Sequence, residues 1–170
     1  MLPGKTLISA PRLQRRVREL ARAIQSHYAG RPLTILGLMN GSLFFLADLL
    51  RELPEETRFE CRAVSSYEGR RSRGRLQGLQ GDFGFVRGRQ ILIVDDILDS
   101  GLTLHSVAEK IRRAGARDIK ICVLLSKKGA RKKPVQADWA GFEIANAFVV
   151  GYGLDWNGKY RNLPMVRVLP

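Results

Sequence analysis

Between residues 9 and 28 the apolar positions Leu13, Val17, Leu20, Ala21 and Ile24 recur every three or four residues, a spacing that sets one face of a helix against a core. Pro11 stands where a first helical turn tolerates it, and Gly30 marks the expected end. The run LTILGL (33–38) reads as a buried strand, and NGS (40–42) turns it into an apolar helix, LFFLADLLREL. FECRAVSSY (59–67) predicts another strand. The stretch EGRRSRGRLQGLQGD then carries four Arg and four Gly with no apolar period, which predicts a mobile basic loop over about 67–83. A strand at 91–95, a helix over 102–114 and a strand at 119–126 follow, and the tail from Ala145 adds a short strand, AFVVGYGL (147–154). Strands alternating with helices predict an α/β domain with a largely parallel sheet, its ligands lying beyond the carboxyl ends of the strands.

At 170 residues and 45% hydrophobic the chain suits one domain, 1–170, with a sizeable core. No apolar run approaches the roughly 20 residues of a membrane span, and the start lacks the order of a secretion signal, so a cytoplasmic protein is expected. Cys61 and Cys122 have no metal-ligand spacing and read as small core residues in a reducing compartment. His27 and His105 likewise lack ligand spacing and read as structural or exposed, and Trp139 and Trp156 as packing residues. The net charge of +13 favours an anionic partner without choosing among nucleic acid, membrane or a phosphorylated substrate, and solubility explains it equally well.

The candidate chemistry lies in ILIVDDILDSGLTL (91–104). Asp95 and Asp96 are costly to bury without partners. A helix beginning at DSGLT offers unpaired amides and a positive dipole end to a phosphate, with Gly101 allowing close approach and Ser100 and Thr103 able to donate. The acids would repel phosphate, so they suit sugar hydroxyls or the waters of a magnesium ion. A ribose 5-phosphate meets both demands. The plainer reading makes Asp99 and Ser100 a helix cap, which accounts for one acid but not three within five residues.

Aliphatic strand, two acids, two apolar residues, Asp, Ser, Gly resembles the phosphoribosyl-pyrophosphate motif of type I phosphoribosyltransferases. LMNGSLFFLADLL, SSY (65–67) and FVVGYGLDWNGKYRNLP (148–164) narrow the resemblance to the hypoxanthine-guanine branch, as its pyrophosphate loop, the start of its flexible catalytic loop and its carboxyl-terminal hood. The resemblance implies a core over about 9–145 and a hood over about 146–170, with an amino-terminal contribution. It implies ribose hydroxyls and magnesium on Asp95 and Asp96, a proton-handling role at purine N7 for Asp99, and a 5-phosphate cradle of Ser100, Gly101, Leu102 and Thr103. Asn40, Gly41 and Arg161 would meet pyrophosphate, and Ser66 and Tyr67 would belong to the catalytic loop. Lys127, with Lys128 as the neighbouring alternative, would donate to the purine 6-oxo group. Phe148 would stack on the base, the Val149 backbone would read its edge, and Asp155 would hold a second magnesium.

The activity so implied joins hypoxanthine or guanine to phosphoribosyl pyrophosphate, giving IMP or GMP, in a homodimer or homotetramer with no membrane or nucleic-acid partner. Lys127 favours 6-oxo purines over adenine because lysine only donates. Two features depart from the family pattern: Asn40 stands where the family often has Lys, and the loop is unusually basic. Backbone amides exposed by a strained or cis peptide between Met39 and Asn40 would allow Asn to serve; otherwise Arg161 and the loop arginines must compensate. The rival reading is a basic RNA-binding regulator that keeps the fold.

Overall fold

The computed structural model describes residues 4–68, 71–129 and 132–169, with 65–68 and 71–77 described by their backbone alone. Along the chain run β1 (Lys5–Ile8), α1 (Ala10–Tyr28), β2 (Thr34–Met39), α2 (Leu43–Arg51), β3 (Arg58–Ala63), β4 (Ser65–Glu68), β5 (Arg71–Gln77), β6 (Gln90–Leu98), α3 (Leu102–Arg113), β7 (Asp118–Lys127), β8 (Trp139–Ile144), β9 (Val149–Val150) and β10 (Val166–Val168). Five parallel strands form the central sheet in the order β3-β2-β6-β7-β8. A second sheet, β1-β10-β9, is antiparallel and joins the two ends of the chain.

Side chains alternate along a strand, so a sheet covered on both faces needs apolar residues at nearly every position. β6 meets this demand: Leu92 and Val94 join a core with α1 and α2, while Ile91 and Ile93 join a second core with α3. The helical period of α1 buries all five residues that announced it, together with Tyr28. The Arg16 guanidinium then ties the helix to the sheet edge through the carbonyls of Gly141 and Ala140, at 2.8 and 3.0 Å. His27 and Trp139 pack edge to face, their ring centroids 5.3 Å apart. Among the described residues no helix is long and apolar enough to cross a membrane.

The structure corrects several expectations. β6 does not stop at the acids but runs on to Leu98, because Ile97 and Leu98 still pair with Leu125 and Ser126 of β7. The predicted strand at 59–67 is two strands, and β4 pairs with β5 as an antiparallel ribbon inside the segment expected to be a loop. Residues 69 and 70 of that segment lie outside the described residues. The strand expected over AFVVGYGL shortens to Val149–Val150, since Gly151, Tyr152 and Gly153 all take positive φ and turn the chain. β1, β8 and β10 have no counterpart in the sequence reading; β1 and β10 are short strands that pair from opposite ends of the chain, and β8 is the edge strand beside β7.

A methyl group added at Gly37 of β2 would stand 2.4 Å from Leu46 Cδ2 of α2. Gly37→Val is therefore expected to cost about 1 to 3 kcal/mol by overpacking, read as a lowered urea midpoint. Unchanged stability would show that α2 can lift away from the sheet without penalty.

Candidate active site

The carboxyl ends of β2, β6 and β7 carry Asn40, the acid pair and Lys127 to one end of the sheet. Asp95 is only 8% exposed, and its Oδ1 accepts the Asp96 amide at 2.9 Å. Burial, and after it the charge of Asp96, pushes the Asp95 carboxyl well above the usual carboxylate range. Burial raises Asp96 as well, against the opposing pull of its hydrogen bond with Asp95 and of the Arg161 charge. Two like charges held in so little water favour a shared proton or an incoming cation.

The loop after β2 closes on these acids. The Met39–Asn40 peptide is cis, as the sequence reading allowed. Ser42 is fully buried and donates to the Leu38 carbonyl at 2.6 Å, and the Leu43 amide returns to the Asn40 carbonyl at 3.2 Å. A Cβ at Gly41 would fall 1.7 Å from Asp96 Oδ2, so the loop backbone rests directly on that carboxylate. Beyond β6, Gly101 takes the N-cap position of α3 with φ 79°. Ser100 Oγ accepts the Leu102 amide at 3.4 Å, and the Ser100 carbonyl takes the Lys132 and Lys133 amides at 2.8 and 3.2 Å. Ser100 to Thr103 thus form a turn into α3 that the Lys132 and Lys133 amides hold at the Ser100 carbonyl.

Asp99 is not the cap of α3; its Oδ2 lies 2.9 Å from Lys127 Nζ, in a half-buried ion pair between the ends of β6 and β7. Lys128 instead meets Glu143 on an exposed face. Asp155 Oδ1 pairs with Arg161 Nη2 at 2.7 Å, and its Oδ2 accepts the Gly158 amide at 2.7 Å. The Asn157-Gly158 turn, both residues at positive φ, joins Trp156 to Lys159 and fixes Asp155 at its mouth. Phe148 is exposed. Val149 lies on β9, an edge strand paired only with β10. Because the Leu169 amide bonds the Phe148 carbonyl, the Val149–Val168 pair falls at a position where Val149 turns its own amide and carbonyl to the unpaired side. Ser66 and Tyr67 sit on β4 by backbone, and their side chains lie outside the described residues. Among the described residues no three metal-ligating side chains gather in one group.

A family model described as the phosphoribosyl transferase domain matches residues 4–157. The hypoxanthine-guanine phosphoribosyltransferase of Bacillus subtilis (strain 168) is 42% identical over 166 residues, covering 97% of this chain and 92% of that protein. This chain belongs to the hypoxanthine-guanine phosphoribosyltransferase family. Within the family, a Bacillus anthracis crystal structure superposes with TM-score 0.89 at 34% identity, covering all of both chains. The Trypanosoma cruzi hypoxanthine phosphoribosyltransferase, solved with the product IMP, gives 0.88 at 35% identity, covering 99% of this chain and 95% of that one.

The sequence reading missed one pair. Tyr152, buried and at φ 50°, donates its hydroxyl to Asp48 Oδ2 of α2 at 2.6 Å, and Asp48 Oδ1 also pairs with Arg51 at 2.8 Å. The only signal was the GYG run, whose glycines permit the turn. The bond ties the turn after β9 to α2, the helix that follows the Asn40–Gly41 loop. Tyr152→Phe is expected to lower stability by about 1 to 2 kcal/mol and to raise KM for the diphosphate substrate more than it lowers kcat. An unchanged KM would show that the turn after β9 finds its place without this bond.

The acid pair also sets a pH dependence. With its folded pKa raised above the unfolded value, Asp95 loses stability for the protein as pH climbs through the folded pKa, and retains it below the unfolded one. Asp95→Asn never ionises. In metal-free buffer it should gain more in Tm over the parent at about pH 8 than at about pH 4.5, and an equal gain at both values would contradict the burial argument.

Proposed function

We propose that the chain transfers phosphoribose from phosphoribosyl pyrophosphate to hypoxanthine or guanine, releasing pyrophosphate and giving IMP or GMP. The observation that carries this reading is the Asp99–Lys127 pair, a proton acceptor and a donor-only cation held side by side at the sheet's end. An entering 6-oxo purine would exchange that ion pair for two contacts of its own, with Lys127 donating to the oxo group and Asp99 taking the proton from N7. As purine N9 bonds to the sugar carbon, the bond from that carbon to the pyrophosphate oxygen breaks and the electron pair leaves with pyrophosphate. Positive charge grows on the ribose beside Asp95 and Asp96, and negative charge grows beside Arg161 and the Gly41 backbone.

A magnesium ion fits the buried acid pair, whose mutual repulsion a cation relieves, and few protein ligands are needed when substrate oxygens complete the shell. Asp95 and Asp96, through water, would hold one ion and Asp155 another; the metal would supply charge to the departing pyrophosphate. Lys127 and Arg161 already spend their charge on Asp99 and Asp155, which gives an RNA-binding role no support from this site. Leu43, Phe44 and Phe59 are exposed apolar residues suited to a homodimer or homotetramer contact, and the unpaired Cys61 and Cys122 suit the reducing cytoplasm.

Purified protein with phosphoribosyl pyrophosphate and magnesium should consume hypoxanthine or guanine and leave adenine, and excess chelator should stop turnover until magnesium is restored. Rapid use of adenine alone would overturn the assignment. Asp99→Asn keeps the shape but cannot exchange the N7 proton, so kcat should fall about 100 to 10,000-fold with the affinity for phosphoribosyl pyrophosphate retained. Turnover at the parent rate would remove Asp99 from the chemistry.

A further inference from the structure

At the opposite end of the sheet, where the strands begin, lies a cavity of about 910 Å³. Pairing register brings its charged lining together: Arg58 opens β3 opposite Thr34 of β2, Arg89 immediately precedes β6, and Arg117 immediately precedes β7. The Arg117 amide donates to the Arg89 carbonyl at 2.8 Å, so these two side chains leave from neighbouring strands. Arg31 joins from the α1–β2 connection, its guanidinium 5.8 Å over the Tyr28 ring. Glu56 is the one acid among the lining residues, and Arg58, Arg89 and Arg117 form no ion pair among the described residues. Four like charges gathered in a concavity repel one another unless an anion lies between them. Tyr28, in the same wall, is 3% exposed, and its hydroxyl has no hydrogen-bond partner among the described residues. Pro32, Leu33 and Pro54 give the cavity apolar surface as well.

We propose that this cavity is a second binding site, for an organic polyphosphate of the nucleotide class. Arginine forks match phosphate oxygens two at a time, the exposed Pro32 and Pro54 and the half-buried Leu33 offer apolar surface to a base or sugar, and the volume lies within the range of small-ligand pockets. The strand-end catalytic groups stand at the other end of the sheet, so the two sites do not overlap.

ATP is a suitable probe, titrated calorimetrically at near-physiological salt into three proteins. These are the parent, Arg58→Glu/Arg117→Glu, and Arg18→Glu/Arg22→Glu, whose exposed positions on α1 change the same net charge away from the cavity. The parent should show a saturable binding event that weakens about 10-fold or more in the cavity variant, as expected for lost charge-assisted contacts, and survives in the control. Both substituted cavity positions are exposed, so folding should be kept, with circular dichroism as the check, and purine-dependent turnover should be unchanged. If folding fails, Arg58→Gln/Arg117→Gln takes the cavity variant's place, with the same weakening expected. No saturable event in the parent, equal binding by the folded cavity variant, or an equal loss in the control would each overturn the proposal.

Discussion

Three stretches of chain meet over the acid pair with no room for a single methyl group between them. The Gly41 backbone rests on the Asp96 carboxylate, and a Cβ at Gly153 would fall 1.9 Å from the Gly41 carbonyl oxygen. The loop after β2, the acid pair and the turn after β9 are therefore stacked backbone on side chain on backbone. Close packing of this kind transmits small displacements directly, so the position of each layer depends on the other two. Gly153 also takes φ 101°, a conformation that L side chains rarely adopt, and this makes the layer doubly intolerant of substitution.

Electrostatics divides the same site into two halves. In the proposed reaction Asp95 and Asp96 would place negative charge beside the sugar, and Arg161 stands close enough to pull against the burial that raises the Asp96 carboxyl. Within each half the charges are already matched: Lys127 to Asp99, Arg161 to Asp155. Half-buried pairs of this sort hold long side chains in place before a ligand arrives, and preorganised charge is worth more in catalysis than charge that must be recruited. The Tyr152–Asp48 bond serves the same end mechanically, joining a segment near the carboxyl terminus to α2.

The parallel sheet separates two charged regions. Its carboxyl ends mix acids with bases, as catalysis on a zwitterionic transition state requires. Its amino ends collect arginines with a single acid among the cavity's lining residues. The net charge of +13 is thus partly accounted for by a concave cluster remote from the catalytic groups.

The sequence by itself determined the α/β class, the long elements and the chemical motif. α1 was legible because five apolar residues repeat at helical spacing, and the DD…DSG string was legible because its chemistry is carried by adjacent residues whose order no fold can change. Only the tertiary structure decided the rest. β1 and β10 are short strands from opposite ends of the chain, and each is stable only because the other supplies its hydrogen bonds. Whether Lys127 or Lys128 enters the site depends on which face of β7's end each occupies, and the two are adjacent in sequence. The Tyr152–Asp48 bond and the arginine cavity join residues separated by long stretches of chain. Local patterns record only what neighbours impose, and pairings of this range come into being when the sheet sets its register.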